Sequence, residues 1–329
     1  MRNIIILVSI FYLISCDSKK ELSYIEDKGD IFHTTYSIKY EYTHSLKNEI
    51  DAELLKFDDS LNPFKPSSII TKVNNNEDVV LDSLFINVFK RAQEVSKVSD
   101  GLFDITVSPL INAWGFGFKN MGNVTPLMID SLKQLVGHDK IVLRDRKIVK
   151  SDPRIQINTS AIAKGYSSDI VASLLDSYGV KNYMIEIGGE IRTKGINAKG
   201  GCWHIGISKP IDKNVFDYQK LQTIIQLCDK SMATSGNYRN YYIKDGKKYA
   251  HTINPKTGYP SETNILSATV IADDCMTADA YATVFMLADT AVTRKIAQKE
   301  KLSYLLILGA SDSSFVIAKS LDFDSYVIE

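Results

Sequence analysis

Asp279 and Thr283 lie four residues apart in the run Cys275-Met276-Thr277-Ala278-Asp279-Ala280-Tyr281-Ala282-Thr283, directly after an apolar stretch that reads as a strand. If the run opens a helix, both side chains project from one face about one turn from each other. A carboxylate and a hydroxyl oxygen side by side are hard ligands suited to magnesium, which keeps few protein ligands and completes its shell with phosphate and water. An aspartate near a helix start also suits the helix dipole with no metal present, so the spacing leaves both readings open.

Three other runs carry polar or aromatic groups in usable patterns. Asn158-Thr159-Ser160-Ala161-Ile162-Ala163-Lys164-Gly165-Tyr166 passes from a strand end into a helix. Small polar residues there leave N–H groups free to hold an anion, and Lys164 adds positive charge. The glycine spacing and Gly-Lys-Ser/Thr ending of a P-loop are absent, and ordinary helix capping accounts for the same residues. Ser231-Met232-Ala233-Thr234-Ser235-Gly236-Asn237-Tyr238-Arg239 leads on to His251-Thr252-Ile253-Asn254-Pro255-Lys256-Thr257-Gly258-Tyr259-Pro260. Its hydroxyls and Arg239 could line a pyrophosphate, with His251 as general base or polarising a phosphate oxygen; a structural histidine between plain turn signals is the competing account. Ser99-Asp100-Gly101-Leu102-Phe103-Asp104-Ile105-Thr106, followed by Asn112-Ala113-Trp114-Gly115-Phe116-Gly117, sets aromatic faces among glycines. Such a segment admits a planar ring system and equally forms a packed corner.

Several elements must position these groups. Helical spacing of Leu46, Ile50, Leu54 and Phe57, and of Phe85, Val88, Phe89, Ala92 and Val95, predicts two amphipathic helices on a sheet. Thr125-Pro126 and Gly137 bracket a third. A further helix is expected over 163–177, with strands at 140–143, 147–150, 155–157, 183–187, 203–207, 223–227, 267–272 and 304–308. The Asp245-Gly246 turn between alternating residues predicts a hairpin over 241–249. Helices mixed with antiparallel hairpins predict an α+β or mixed α/β fold. No repeat, low-complexity block or Pro/Gly/Ser-rich linker interrupts residues 29–329, which read as one continuous catalytic domain.

The chain of 329 residues is 44% hydrophobic, enough for a substantial core. Its 39 basic and 39 acidic side chains give no basic excess, so nucleic acid is set aside as a partner. Arg2, the short apolar run at 4–14 and Leu13-Ile14-Ser15-Cys16 read as a signal peptide over 1–15, too short to span a bilayer. The last four residues resemble a bacterial lipobox, which implies cleavage before Cys16 and lipidation of its thiol. The polar stretch over 16–28 then reads as a lipidated tether. Cys202, Cys228 and Cys275 show no metal or redox spacing, and their odd number argues for small buried hydrophobes over a disulfide framework.

Taken in order, Asp100-Gly101-Leu102-Phe103-Asp104-Ile105-Thr106, Ser160-Ala161-Ile162-Ala163-Lys164-Gly165-Tyr166, Glu186-Ile187-Gly188-Gly189-Glu190, Ala233-Thr234-Ser235-Gly236, His251-Thr252-Ile253-Asn254-Pro255-Lys256-Thr257-Gly258 and Thr277-Ala278-Asp279-Ala280 resemble the signature set of the ApbE family of FAD:protein FMN transferases. The resemblance runs over about 29–318. It implies magnesium held by Asp279, Thr283 and the carbonyl of Ala161, and FAD contacts at Phe32, Asn62, Pro63, Phe64, Leu102, Phe103, Asp104, Asn158, Lys164 and Ile253. His251 would lie near the pyrophosphate, with His251 and Lys164 as the catalytic side chains. Asn158 and Asn254 stand where relatives commonly carry aspartate, Asn62-Pro63-Phe64 replaces a more usual Ser-Thr-aromatic run, and position 282, sometimes acidic in relatives, is alanine. The implied reaction moves FMN from FAD to a threonine or serine of an exported or membrane redox flavoprotein and releases AMP. The implied location is the periplasmic side of the cell envelope. A pyrophosphatase giving free FMN and AMP, or a flavin-binding lipoprotein without chemistry, are the alternatives.

Overall fold

The computed structural model describes residues 21–117, 124–210, 221–237, 241–244, 247–310 and 314–328. In chain order the elements are β1 (Ser23–Ile31), β2 (Thr34–Tyr42), α1 (Lys47–Leu61), α2 (Ile69–Asn74), α3 (Ser83–Val98), α4 (Ser108–Ala113), α5 (Pro126–Lys133), β3 (Ile141–Arg144), β4 (Lys147–Lys150), α6 (Ala163–Ser177), β5 (Tyr183–Ile187), β6 (Glu190–Lys194), β7 (Trp203–Ser208), β8 (Leu221–Leu227), β9 (Ser231–Gly236), β10 (Tyr241–Lys244), β11 (Lys247–Ala250), β12 (Ile265–Ala272), α7 (Cys275–Phe285), α8 (Thr290–Glu300), β13 (Ser303–Gly309) and β14 (Phe315–Lys319).

Eight strands form one antiparallel sheet in the order β1-β2-β5-β6-β9-β12-β13-β14, and three small hairpins, β3-β4, β7-β8 and β10-β11, stand outside it. The sheet has a covered face on each side. Helices α1 and α6 bury Ile50, Leu54, Val171 and Leu175 against Ile38, Tyr40 and Ile185 of β2 and β5. Helix α7, apolar almost all round, continues that layer over the centre of the sheet and meets the core of α1 and α3 at Phe57, Phe85, Val88 and Phe285. On the other face, Ile205, Ile207, Ile225 and Leu227 of the β7-β8 hairpin and Phe323 cover Ile191, Met232, Ile271, Leu305 and Ile307. The α+β expectation therefore holds, with the helices and the sheet in layers.

Helix starts follow local chemistry. Asp82 accepts the Phe85 N–H at 2.8 Å to open α3, Thr125 accepts the Met128 N–H at 3.2 Å to open α5, and Asp274 accepts the Thr277 N–H at 2.8 Å to open α7.

Three expectations need correction. The stretch 155–157 is not a strand. Its main chain is instead paired with a side chain: Asn74 Nδ2 donates to the Ile157 carbonyl at 2.9 Å, and the Ile157 N–H donates to Asn74 Oδ1 at 2.7 Å. Burial of Ile155 and Ile157 produced the alternation without a neighbouring strand. The tether does not extend to residue 28, because β1 begins at Ser23 and pairs along its whole length with β2. Its charged residues are paired in place: Asp27 is buried and accepts from Tyr40 Oη at 2.5 Å and Ser45 Oγ at 2.9 Å. Finally, Cys202 and Cys228 form a disulfide. Hairpin pairing sets Trp203 opposite Leu227, so the two cysteines meet just beyond the last pair, 26 residues apart in sequence. Among the described residues Cys275 is the one free thiol, and it is buried. The segment 1–15, Cys16, Arg239 and the Asp245-Gly246 turn lie outside the described residues.

Candidate active site

Antiparallel order brings the β1-β2 turn, the β5-β6 turn, the end of β9 and the start of β12 to one end of the sheet. Helix α6 begins at this end, and α7 runs back towards it from the end of β12. The two helices are locked together at the start of α7. Asp169 of α6 accepts the N–H groups of Cys275 at 2.9 Å and Met276 at 2.8 Å, the free donors of that helix start. Arg192 of β6 completes the joint, pairing with Asp169 at 3.2 Å and donating to the Asp273 carbonyl at 2.7 Å. Burial pushes the Asp169 carboxyl up to about 6 against the pull of Arg192.

Gly165 lets the helices approach. A Cβ there would sit 2.2 Å from the Cys275 carbonyl oxygen and 2.7 Å from Asp279 Cβ. The Gly165 N–H donates to Asp279 Oδ2 at 2.9 Å, and the Asp279 side chain is buried. Thr283, one turn on, directs Oγ1 to within 3.4 Å of Ser235 Oγ on β9. Lys164, beside Gly165, forms an ion pair with Glu190 at the start of β6. Two carboxylates thus share one ammonium. Burial pushes Glu190 up to about 7, with Lys164 opposing and Asp279 adding to the rise. Burial also raises Asp279, against Lys164 and the Gly165 N–H. For Lys164 burial disfavours the charge, but Glu190 and Asp279 outweigh it and hold the ammonium above its ordinary range.

This imbalance fits a bound cation. Glu190 Oε2 is buried with no hydrogen-bond partner, and the available donors are oxygens only, which suits a hard ion. Ala161, on the turn entering α6 where Thr159 accepts the N–H groups of Ile162 and Ala163 at 3.0 and 2.9 Å, sits about one helical turn before Gly165. Among the described residues no group of three or more His, Cys, Asp or Glu could hold a metal. An ion here would depend on Asp279 with hydroxyl and carbonyl oxygens.

The raised carboxyls make a measurable statement. Asp169 and Glu190, pushed up to about 6 and about 7, hold protons more tightly folded than unfolded, so their contribution is fully present below about pH 4 and is lost as pH rises towards about 7, and Asp279 is shifted in the same direction. The thermal midpoint of metal-free protein is expected to fall between pH 5 and 8, and magnesium to reduce that fall by favouring ionised Asp279. A midpoint that climbs over the interval would contradict the assignment.

The expected flavin contacts form a second group. Phe32 and His33 form the β1-β2 turn with φ of 53° and 58°. The Phe32 ring packs on Phe57 at 5.4 Å, and Phe57 on Tyr166 of α6 at 5.8 Å. The His33 ring meets Phe64 edge-on at 5.8 Å, which joins that turn to Asn62-Pro63-Phe64. Asn62 Oδ1 accepts the Phe64 N–H at 2.8 Å, the Pro63 carbonyl accepts from Thr71 Oγ1 at 3.3 Å, and Phe64 remains 56% exposed. Leu102 packs on the main core and Phe103 is within it. Asp104 is buried and spent on its own turn, accepting from the Thr106 N–H at 2.8 Å and Oγ1 at 2.6 Å. Asn158 donates its N–H to the Ile105 carbonyl at 2.7 Å and accepts the Ser160 N–H at 2.8 Å, tying this loop to the entrance of α6.

Ile253 is buried among Leu110, Trp114, Ile129 and Val136. Trp114 Nε1 donates to the Gly258 carbonyl at 2.8 Å, and Lys256 pairs with Asp100 at 2.6 Å, so the 251–260 segment rides on the loop that carries Leu102–Asp104. His251 belongs to this group, its ring 6.4 Å from Phe116. Thr252 Oγ1 donates to Asn237 Oδ1 at 2.8 Å, next to the end of β9 that holds Ser235.

A model of the ApbE family matches residues 32–306. The chain belongs to the ApbE family. Its ApbE relatives include the FAD:protein FMN transferase of Vibrio cholerae, 34% identical over 324 residues that cover 95% of each chain. The FAD:protein FMN transferase of Haemophilus influenzae is 35% identical over 343 residues, 98% of this chain and 96% of that one. Among solved ApbE structures, the flavin transferase from Vibrio cholerae superposes with a TM-score of 0.81 at 30% identity, covering 93% of this chain and 100% of the other. The apo flavinyl transferase from Pseudomonas stutzeri gives 0.83 at 26% identity, covering 93% and 97%.

Within this ApbE chain, sequence reasoning gave no role to Glu190, Asp169 or Gly165. Glu190 carried a signal, an acidic residue immediately after a Gly-Gly turn between two apolar alternations. Asp169 and Gly165 carried none, since their partners are more than a hundred residues away.

Proposed function

We infer that this chain is a magnesium-dependent FAD:protein FMN transferase that attaches FMN to a threonine or serine hydroxyl of a partner flavoprotein and releases AMP. The observation that carries the reading is the cluster of buried Asp279 and Glu190 around the half-buried Lys164 at the start of α6, in a chain of the ApbE family. Asp279, Thr283 and the Ala161 carbonyl would hold the magnesium ion, which when bound neutralises charge on phosphate oxygens as a Lewis acid.

The chain's own residues divide the remaining work. Phe32, Phe64 and Leu102 offer apolar and aromatic surface to the isoalloxazine ring, and Lys164 offers its ammonium to the pyrophosphate. The acceptor hydroxyl oxygen bonds to the FMN-side phosphorus as the bond to the bridging oxygen breaks. AMP leaves with that oxygen, and the hydroxyl proton passes to the His251 imidazole. Such a transfer depends mainly on in-line positioning and on charge neutralisation. The Cys202–Cys228 disulfide supports an oxidising location. With it goes an anchor at Cys16, a periplasmic site in the cell envelope, and acceptors among exported or membrane redox proteins.

The test mixes the protein with FAD, magnesium and an acceptor domain, and follows acceptor mass and AMP together. One FMN added per AMP, with both lost on chelation, is the expected result. AMP with free FMN and unmodified acceptor would favour the pyrophosphatase. His251→Ala should slow transfer by about 10²–10⁴-fold while FAD affinity stays within about 3-fold; an unchanged rate would remove His251 from the role of base.

A further inference from the structure

An ammonium has three N–H donors, and among the described residues the only acceptor for Lys164 is Glu190 Oε1. The two partners are unequally sheltered, with 4% of the Glu190 side chain exposed and 34% of that of Lys164. The carboxylate is thus embedded at the sheet, while the Lys164 side chain keeps part of its surface exposed and two of its N–H donors have no acceptor among the described residues. Glu190 Oε2 is buried and unpaired. A residue that served the fold alone would be better replaced by an apolar one, because a buried carboxylate that is half satisfied weakens a core.

The β5-β6 turn is shaped around this pair. Gly188 and Gly189 have φ of 64° and 100°, the left-handed pair that a two-residue hairpin requires. A Cβ on Gly188 would lie 3.0 Å from Thr34 Cγ2, 3.2 Å from Lys164 Cδ and 3.3 Å from Glu190 Oε2. The aliphatic stem of Lys164 therefore lies across Gly188 on its way to Glu190. A Cβ on Gly189 would meet nothing within 4 Å, so the tip of the turn borders open space.

We propose that Glu190 is a positioning residue of the transfer reaction, clamping Lys164 over the Gly188-Gly189 turn so that its two remaining N–H groups meet the FAD pyrophosphate. This rests on the reading of Lys164 as a pyrophosphate contact. A lysine on a flexible four-carbon stem loses rotamer freedom when it orders on a substrate, and Glu190 imposes that order before FAD arrives. The benefit falls on the chemical step more than on ground-state affinity, since misaligned charge is felt most where charge develops.

The experiment measures kcat for transfer, and FAD affinity by flavin fluorescence without magnesium, in four proteins: wild type, Glu190→Gln, Lys164→Met and the double variant. Glu190→Gln should lose about 30-fold in kcat with FAD affinity within about 3-fold. The double variant should be no slower than Lys164→Met, because Glu190 acts only through the lysine. Wild-type kcat in Glu190→Gln overturns the proposal, and so does a double variant slower than Lys164→Met by the full factor. Wild-type kcat in Lys164→Met overturns the pyrophosphate reading of Lys164 and the proposal with it. Where Glu190→Gln does not fold, Glu190→Asp, which keeps the charge but retracts it by one methylene, replaces it under the same criteria. Lys164→Gln stands in for Lys164→Met in the same way.

Discussion

Asp279→Ala is expected to abolish magnesium-dependent FMN transfer, lowering kcat by at least about 10³-fold, while the protein still folds. Asp279 is the single carboxylate on the candidate metal-binding face of α7, with Thr283 as its neighbour one turn away. Removing it takes away the only charged group among the proposed ligands Asp279, Thr283 and the Ala161 carbonyl. Its effect on the fold is a balance of two opposed terms. The Gly165 N–H loses its acceptor, which costs about 1–3 kcal/mol, whereas a buried charge that burial already disfavours is removed. The thermal midpoint should therefore move by only a few degrees, at about 2 °C or less per kcal/mol for a domain of this size. Magnesium should no longer raise that midpoint. Full AMP release in a folded Asp279→Ala protein would end the assignment.

Gly165→Ala should damage both the fold and the site. The new Cβ would lie 2.2 Å from a main-chain oxygen of α7, and a backbone carbonyl cannot swing aside as a side-chain tip can. Helices α6 and α7 must separate, breaking the Gly165 to Asp279 hydrogen bond and loosening the Asp169 joint. A loss of about 3 kcal/mol is expected from overpacking, together with a fall in kcat of at least about 100-fold because Asp279 shifts relative to Lys164. Gly201→Ala is the control. Its Cβ would meet nothing within 4 Å, and it should change stability by less than about 0.5 kcal/mol. Equal midpoints for the two variants would show that the interhelical approach is not the constraint.

The helices that carry this site were legible because periodicity and caps agree. The apolar strand over 267–272, Asp274 as cap and the alanine-rich α7 leave little choice of structure, so the shared face of Asp279 and Thr283 followed directly. What stayed hidden depended on distant partners. Strand β1 is masked by Glu26, Asp27, Lys28 and Asp30, which look like a solvated tether until β2 supplies Tyr40 and Lys39 as partners. The reverse holds at 155–157, where a strand-like pattern lacked a strand partner and Asn74 took its place. Cys202 and Cys228 meet only after β7 and β8 pair. The charge balance of the site could not be counted from motifs, since Glu190 enters through a turn that the helix signals do not mention.

The early start of β1 bears on how the enzyme would stand on a membrane. With the first strand residue at Ser23, an anchor at Cys16 would leave only residues 17–22 as a leash, at most roughly 20 Å when fully extended. Strand β1 then runs its nine residues, roughly 30 Å, before the Phe32 turn at the site end of the sheet. A molecule standing upright on so short a leash would hold its reaction centre some 50 Å above the lipid at full stretch, within reach of the ectodomain of a membrane partner and out of reach of a hydroxyl at the bilayer surface unless the body tips over. Leash length would then select acceptors by height, and lengthening the 17–22 stretch would be a way to change that selection without touching the chemistry.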